Sequence, residues 1–258
     1  MPYADLHVHT TRSDGTLDLE AVPAAAHEAG VRVVAITDHD RLQPFSEPTV
    51  ERDGVTLVSG IELRVEAADG TRVDLLGHGV SPTAGLERCC GRIQRNRRER
   101  GRAIADRVED RLGIDLDLAI EDGVGRPHVA RAVAAHPETA LDYQDAFDDL
   151  IGDGCPCYVP REIPSFERGV ALLKGACTLV SLAHPLRYRD PAAALALTAD
   201  LDALEYHYPY GRTVETAPLE RAIDRHGLQI TGGSDAHGTR LGRAGLTRAE
   251  FQRLGLLE

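Results

Sequence analysis

The stretch Tyr3-Ala4-Asp5-Leu6-His7-Val8-His9 decides the fold, because it is predicted to be a β-strand that ends in two histidines. Residues two positions apart on a strand point to the same face, so His7 and His9 can bind one ion together. The same arrangement recurs, since other apolar, strand-like runs also end in short polar clusters. These clusters are Thr37-Asp38-His39-Asp40, Ala183-His184-Pro185 and Gly233-Ser234-Asp235-Ala236-His237. Imidazoles and carboxylates that arrive together from several strand ends are typical of a site for divalent metals.

Strand-like and helix-like segments alternate over much of the chain. Residues 17–29 carry apolar side chains at helical spacing before Gly30, which is a helix stop, and residues 31–36 form an apolar, β-branched run. Repeated alternation of this kind predicts roughly six or seven strands in a mainly parallel sheet. In barrels of parallel strands, the chemistry gathers at the carboxyl ends of the strands.

Two segments interrupt this alternation. Ala68-Asp69-Gly70-Thr71 has the composition of a hairpin turn and joins a predicted strand at 55–65 to a second at 72–76. Residues 86–112 are predicted to form an arginine-rich helix, and further short helices follow it instead of strands. We therefore predict a single domain over residues 1–258 with a helical insertion at 86–175.

Composition and charge restrict the partners. The formal net charge of −12 opposes binding to extended duplex nucleic acid and to an anionic membrane surface. No apolar run approaches the roughly 20 residues of a membrane span, and the N-terminus lacks the basic and then apolar pattern of a signal peptide. The sequence thus predicts a cytoplasmic protein that acts on a small molecule, and it does not indicate an oligomeric state.

The five cysteines show no zinc-ribbon spacing. Cysteine is among the most readily buried residues, so free, mostly buried thiols are the favoured interpretation. A structural zinc site made by Cys89, Cys90, Cys155 and Cys157 is a weaker alternative.

Taken in order, the motifs of the chain resemble those of the PHP (polymerase and histidinol phosphatase) family. The resemblance runs from residue 3 to about residue 240 and is strongest to the branch of small nucleotide phosphatases and 5'-3' exoribonucleases. It implies an α/β fold, a distorted (βα)7 TIM-like barrel with a helical insertion. The motifs are Asp5-Leu6-His7-Val8-His9, Ser13-Asp14-Gly15, Thr37-Asp38-His39-Asp40, Gly60-Ile61-Glu62, Gly77-His78, Arg126-Pro127-His128, Ala183-His184-Pro185 and Gly233-Ser234-Asp235-Ala236-His237.

The resemblance also implies a centre of two to three divalent metal ions. The first position would use His7, His9, Glu62 and Asp235, the second would share Glu62 and add His78 and His184, and the third would use Asp14, His39 and His237. Imidazoles combined with carboxylates suit Mn, Fe or Zn better than Mg or Ca. Glu205 and His207 also end a predicted strand, but no metal role is predicted for them.

The implied function is the hydrolysis of phosphate esters of small nucleotides, such as a nucleoside monophosphate, a 3',5'-bisphosphate or the end of a short RNA. A metal-bridged hydroxide would attack phosphorus, since two neighbouring ions generate a nucleophile and stabilise the leaving oxygen. Arg126 would bind phosphate through its planar fork of donors. His128 would orient phosphate or protonate the leaving group, and Arg161 is a further candidate for substrate binding.

Two alternatives remain open at this stage. A histidinol-phosphate phosphatase would need an acidic pocket that faces the ammonium group of its substrate. A non-catalytic module would bind metal or nucleotide and regulate a partner. Phosphate release from a panel of phosphate esters discriminates the nucleotide phosphoesterase, the histidinol-phosphate phosphatase and the non-catalytic module.

Overall fold

The computed structural model describes residues 1–257 as strands and helices that alternate along most of the chain. The strands are β1 (Ala4–Val8), β2 (Val33–Ile36), β3 (Thr49–Arg52), β4 (Val55–Glu66), β5 (Arg72–Val80), β6 (Cys177–Leu182), β7 (Ala203–His207) and β8 (Gln229–Gly232). The α-helices are α1 (Val22–Ala29), α2 (Ala84–Leu112), α3 (Arg126–Ala135), α4 (Tyr143–Asp145), α5 (Phe166–Lys174), α6 (Pro191–Ala196), α7 (Ala217–His226) and α8 (Arg248–Gln252). Short 3₁₀ segments occupy Leu19–Ala21, Pro185–Arg187 and Leu197–Asp200, and a π-helical turn occupies Ala146–Ile151.

The strands form one mixed sheet in the order β1-β2-β4-β5-β6-β7-β8, with β3 beside β4. β1, β2 and β4 run parallel, as do β6, β7 and β8, but β5 is antiparallel to both of its neighbours. An isolated bridge between Val8 and Ala236 brings the first strand close to the segment after the last. The fold is therefore mixed α/β with a curled sheet, and a complete (βα)7 barrel is not confirmed.

β5 runs antiparallel because a tight turn joins it to β4. Gly70 adopts a φ of 85°, and its amide donates to the carbonyl of Ala67 at 2.9 Å. The amide of Thr71 is held by the carboxylate of Asp69 at 2.8 Å. This turn places the beginning of β5 at the same edge as the carboxyl ends of the parallel strands.

The strands pack between apolar layers. One cluster joins α1 to β1, β2 and β4 and includes Val22, Val34, Ile36 and Leu57. A second cluster joins the strands to the C-terminal segment through α8 and includes Phe251. Each fully buried aliphatic side chain contributes about 1.5–3 kcal/mol by leaving water. The strands are therefore a rigid support for the polar side chains at their ends.

The chain divides into two compact units, Met1–Cys90 with Ile163–Glu258, and Gly91–Glu162. The second unit is helical and has an apolar cluster of its own, which includes Ile104, Val129 and Leu150. It lies within the predicted insertion 86–175. Helix α5 falls within that predicted range but packs on β4, β5 and β6 in the first unit.

All five cysteines are free thiols; Cys89, Cys90 and Cys157 are buried, while Cys155 and Cys177 are partly exposed. None of the helices within residues 1–257 combines the length and the apolarity needed to cross a bilayer.

Candidate metal centre

Glu62, in the carboxyl-terminal half of β4, lies at the middle of a cluster of histidines. Its Oε2 atom is 3.0 Å from His39 Nδ1, 3.2 Å from His9 Nε2 and 3.4 Å from His7 Nε2. Its Oε1 atom is 3.1 Å from His184 Nε2. One carboxylate therefore faces four imidazoles, which come from three different segments of the chain.

Three overlapping groups of side chains have the geometry of metal ligands. In each group, one ligand atom from every member lies within 4.8 Å of the others. The groups are His7, His9 and Glu62; Glu62, Asp74 and His184; and His9, Asp14, His39 and His237. Since His9 and Glu62 each belong to two groups, the three candidate positions adjoin one another.

Asp235 lies beside the first group of candidate ligands. Its Oδ1 atom is 3.2 Å from His9 Nε2 and 3.5 Å from His7 Nε2. Asp235 has a φ of 49° and His184 a φ of 31°, in the left-handed region that non-glycine residues seldom adopt. Such a conformation costs about 1–3 kcal/mol and is concentrated at functional sites. The surrounding hydrogen bonds must therefore hold both side chains in place.

The second group of candidate ligands contains Asp74, whereas the resemblance to the PHP family implies His78 at this position. Asp74 and His78 both lie on β5, opposite Arg64 and Gly60 of β4. Because β5 is antiparallel, the edge that carries the other ligands coincides with the beginning of β5. Asp74 therefore reaches Glu62 and His184, whereas His78 lies deeper in the sheet and belongs to none of the three groups.

His78 is completely buried, and its ring nitrogens have no hydrogen-bond partner within residues 1–257. Burial lowers its pKa to about 3, and the positive charge of His7 adds to this effect. The imidazole of His78 is consequently neutral at physiological pH.

Two aspartates in the motifs support the backbone and are not members of the ligand groups. Asp5 accepts hydrogen bonds from the amide and hydroxyl of Ser234 at 2.8 and 2.6 Å. Asp38 accepts from the amide and hydroxyl of Thr10, both at 2.8 Å, and from the hydroxyl of Ser13 at 2.6 Å. These bonds fix the loops that carry the histidines.

Glu205 is the residue that sequence reasoning missed. Its Oε1 atom is 3.0 Å from His7 Nδ1, and its Oε2 atom accepts the backbone amide of His184 at 2.7 Å. A carboxylate behind a ligating imidazole fixes the tautomer and the orientation of the ring. His207, two residues later, pairs instead with Glu250 at 3.0 Å, outside the ligand groups.

The charges in the centre stabilise one another strongly. Burial disfavours the charged form of His9, but Asp235 and Glu62 outweigh burial and raise the pKa of His9 to about 10. Burial likewise opposes the ionisation of Glu62, yet the charges of His39 and His7 hold its pKa well below the usual range. Protons thus occupy the imidazoles wherever no other cation balances the carboxylates.

These donors fit divalent metal ions. Glu62 Oε2 and Asp235 Oδ1 are buried and lack a well-directed hydrogen bond within residues 1–257. Both atoms face imidazole nitrogens across 3.0–3.5 Å. Lone pairs that converge on the same small space require a cation, and a mixed imidazole and carboxylate set is suited to Mn, Fe or Zn.

Two arginines share a cavity of about 250 Å³ with the ligand groups. Arg64 binds both carboxylate oxygens of Asp74, through Nε at 2.7 Å and through a close contact of Nη2. Arg187 donates to Asp235 Oδ2 at 2.9 Å and to the hydroxyl of Tyr208 at 2.7 Å. Both guanidiniums are partly exposed and place positive charge beside the centre.

The three predicted substrate residues lie in the helical unit. Arg126 begins α3, donates to Asp153 at 2.7 Å and lies over the rings of Phe147 and Tyr158, at 5.7 Å from each. His128 Nδ1 accepts the amide of Gly125 at 3.2 Å, which leaves the proton of the neutral ring on Nε2. Arg161 is partly buried near the end of this unit.

Known proteins resemble this chain over most of its length. A phosphoribosyl 1,2-cyclic phosphate 1,2-diphosphodiesterase from Eggerthella lenta is 31% identical over 248 residues, covering 91% of this chain and 94% of the relative. A 3',5'-nucleoside bisphosphate phosphatase from Chromobacterium violaceum is 29% identical over 261 residues, covering 92% and 88%. A solved structure from Bifidobacterium adolescentis, proposed to be a metal-dependent phosphoesterase, superposes with a TM-score of 0.79 at 25% identity, covering 97% and 94%.

The family assignment follows from these matches together with the ligand motifs. The PHP domain matches residues 5–152, which include the motifs around His7, His39 and Glu62. The matched relatives cover 91% and 92% of the chain, which is more than the family match alone. This chain belongs to the PHP domain family.

Proposed function

We propose that the protein is a metal-dependent phosphoesterase that hydrolyses phosphate esters of small nucleotides. The observation that carries this proposal is the convergence of three adjoining ligand groups on Glu62, in a cavity that also contains Arg64 and Arg187. The matched relatives are hydrolases of phosphate esters. Their substrates, a cyclic sugar phosphate and a nucleoside bisphosphate, indicate the size and charge of the molecule that this chain accepts.

Two to three divalent ions, Mn, Fe or Zn, would be held by the three ligand groups. When bound, such ions polarise phosphoryl oxygens and lower the pKa of water to about 7, which supplies a nucleophile without a serine or cysteine. His7, His9, Glu62 and Asp235 form the first position, with Glu205 orienting His7. Asp74 serves with Glu62 and His184 in place of His78 at the second, and Asp14, His39 and His237 form the third. His9 lies within reach of two positions.

The remaining side chains of the centre bind and orient the phosphate. Arg64 and Arg187 are each held by a carboxylate, so their exposed N–H groups present donors in a fixed direction. We assign Arg126 and His128 to the phosphate and the leaving group, with Arg161 as a further substrate contact. In the neutral ring, the Nε2–H group of His128 would donate a hydrogen bond to the phosphate or to the leaving oxygen, and only the protonated imidazolium would transfer a proton to that oxygen.

The cations in the cavity favour this proposal over histidinol-phosphate hydrolysis. That substrate carries an ammonium group and would need an acidic surface, but Arg64 and Arg187 line the cavity beside the carboxylates that serve as candidate metal ligands. A purely regulatory module does not account for relatives that are hydrolases.

Phosphate release tests the proposal directly. Protein stripped with chelator and reconstituted with Mn, Fe or Zn is incubated with nucleoside monophosphates, nucleoside 3',5'-bisphosphates, 5'-phosphorylated oligonucleotides and histidinol phosphate. We expect turnover of nucleotides that requires metal and is lost in His9→Ala but kept in His226→Ala, which removes an exposed histidine at the end of α7. Absence of phosphate release with every metal and every ester would refute the assignment.

A further inference from the structure

We propose that Arg240 and Arg243 form a subsite for a second phosphate of the substrate, next to the phosphate that is hydrolysed. This inference rests on the proposed function, because it extends the substrate contacts of the same metal centre. It concerns the loop that follows the last ligand motif, to which the proposed function assigns no role.

The loop lines a cavity that continues from the metal centre. This open cavity has a volume of about 720 Å³ and is lined by Asp235, Ala236, His237, Gly238, Thr239, Arg240 and Arg243. Asp235 and His237 also line the cavity that contains the ligand groups. Since consecutive α-carbons are about 3.8 Å apart, the α-carbon of Arg240 lies within roughly 11 Å of that of His237. A nucleotide bound at the centre can therefore extend along this loop.

The two arginines have no acidic partner. Within residues 1–257, neither the Arg240 nor the Arg243 side chain has an ion pair or a hydrogen bond. Arg64 and Arg187, in contrast, are paired with Asp74 and Asp235. The chain has 41 acidic and 29 basic residues, so acidic partners are plentiful for arginine. Two unpaired guanidiniums in one cavity point to an anionic ligand.

The carboxylate in this cavity is already engaged. Asp235 Oδ2 accepts hydrogen bonds from Arg187 at 2.9 Å and from the hydroxyl of Tyr208 at 2.8 Å. Its Oδ1 atom faces His7 and His9. Asp235 therefore leaves the charge of the two loop arginines uncompensated.

Contacts on both sides hold the loop in place. The carbonyl of His237 accepts hydrogen bonds from the amide and the hydroxyl of Thr16, at 2.9 and 3.1 Å. The amide of Gly242 donates to the buried Asp5 at 2.8 Å, and the side chain of Leu241 is buried in the core between the two arginines. The guanidiniums thus start from a rigid backbone, which lowers the entropic cost of binding.

The chemistry of the subsite defines the class of substrate. A guanidinium matches two oxygens of a phosphate, and two guanidiniums suit a phosphate with two negative charges. The substrate should therefore carry a phosphate besides the one that reacts. A nucleoside 3',5'-bisphosphate and a short 5'-phosphorylated oligonucleotide both have this feature.

The test compares substrates with one and with two phosphates. The double variant Arg240→Met/Arg243→Met is measured beside Arg32→Met/Arg88→Met, which removes the same charge from exposed positions that line neither cavity. Both arginines are exposed, so water weakens their contacts with phosphate. Loss of the two contacts should therefore lower kcat/KM for a nucleoside 3',5'-bisphosphate by roughly tenfold to a hundredfold, mainly through KM. With p-nitrophenyl phosphate, which has a single phosphate, the same variant should stay within about twofold of the original protein. The control variant should have the same kcat/KM as the original protein for both substrates.

Several outcomes would overturn the subsite. Equal losses on both substrates would make the loop a structural element of the centre, and no loss on either would remove the arginines from substrate binding. The same variant is also measured with a 5'-phosphorylated dinucleotide. The substrate whose kcat/KM falls more, the bisphosphate or the dinucleotide, is the one whose second phosphate fits the subsite better.

Equilibrium binding keeps the inference independent of turnover. Calorimetric titration of the Mn-loaded protein compares a nucleoside 3',5'-bisphosphate with the corresponding 5'-monophosphate. A preference for the bisphosphate that disappears in Arg240→Met/Arg243→Met supports the subsite even if no ester is hydrolysed, a result that would refute only the proposed function. Equal affinities in the original protein would refute the subsite.

Discussion

Replacing Glu205 by glutamine tests how the centre is built, because Glu205 supports two ligands at once. It faces His7 Nδ1 at 3.0 Å and accepts the amide of His184 at 2.7 Å. Glutamine has the same shape but only one carbonyl oxygen, so one of the two donors must face the NH₂ group. That mismatch should cost about 1–3 kcal/mol of stability, as expected for a buried donor without an acceptor.

The same substitution should weaken metal binding by roughly tenfold to a hundredfold, the range measured when the carboxylate behind a ligating histidine is lost. This loss corresponds to about 1.4–2.8 kcal/mol. Calorimetric titration of chelator-stripped protein with Mn measures the affinity, and urea denaturation measures the stability. Glu250→Gln is a matched control, because Glu250 also pairs with a histidine at 3.0 Å but lies outside the ligand groups. Unchanged metal affinity in Glu205→Gln would refute the supporting role.

Four further predictions concern other parts of the molecule. Asp74→Asn should reduce the number of Mn ions that the protein retains after dialysis, as measured by mass spectrometry. His78→Asn should leave this number unchanged, and the reverse result would support His78 as the ligand. The pKa of His9 is raised from 6.5 to about 10, so metal-free protein should lose stability against urea as the pH rises through this range, because the protonated imidazole is then lost. The affinity for metal should increase over the same range. A stability that does not change with pH would contradict the raised pKa. Gly233→Ala would place a methyl group against the backbone nitrogen and the Cβ atom of His7 on β1. It should lower the free energy of unfolding by about 1–3 kcal/mol, measured by thermal denaturation. An unaltered Tm would show that the backbone moves to accommodate the methyl group. Arg126→Ala should leave bound metal unchanged and lower kcat/KM by roughly tenfold to a thousandfold, and full retention of kcat/KM would make the residue structural.

The sequence predicts that several of its polar clusters meet in space. Strand-like runs that end in histidine and aspartate predicted a cluster, and the structure brings together His7, His9, His39 and Asp235 from separate segments. The resemblance to the PHP family is confirmed. The side chains of the separate motifs lie close together because parallel strands place their carboxyl ends at the same edge of a sheet.

The prediction of His78 as a ligand came from the resemblance to the PHP family, whereas the structure groups Asp74 of the same strand with Glu62 and His184. The hairpin composition at residues 68–71 already indicated that β5 reverses direction, which makes Asp74 near its beginning the residue closest to the other ligands. The sequence predicts no role for Glu205, and the reason is different. A carboxylate that orients another ligand carries no signal in the spacing of the motifs, since its partners, His7 and His184, are distant in sequence.

Because β5 runs antiparallel to β4, the length of the turn at residues 67–71 determines which side chains of β5 lie opposite those of β4. The pairing of Arg64 with Asp74 and of Glu62 with Leu76 depends on the number of residues in this turn. A slip of one position would direct Asp74 to the opposite face of the sheet. A single inserted residue that shifts this register would then move Asp74, a candidate metal ligand, away from Glu62 and His184 without replacing any side chain of the centre. In this protein the length of a hairpin is therefore as constrained as the identity of a ligand.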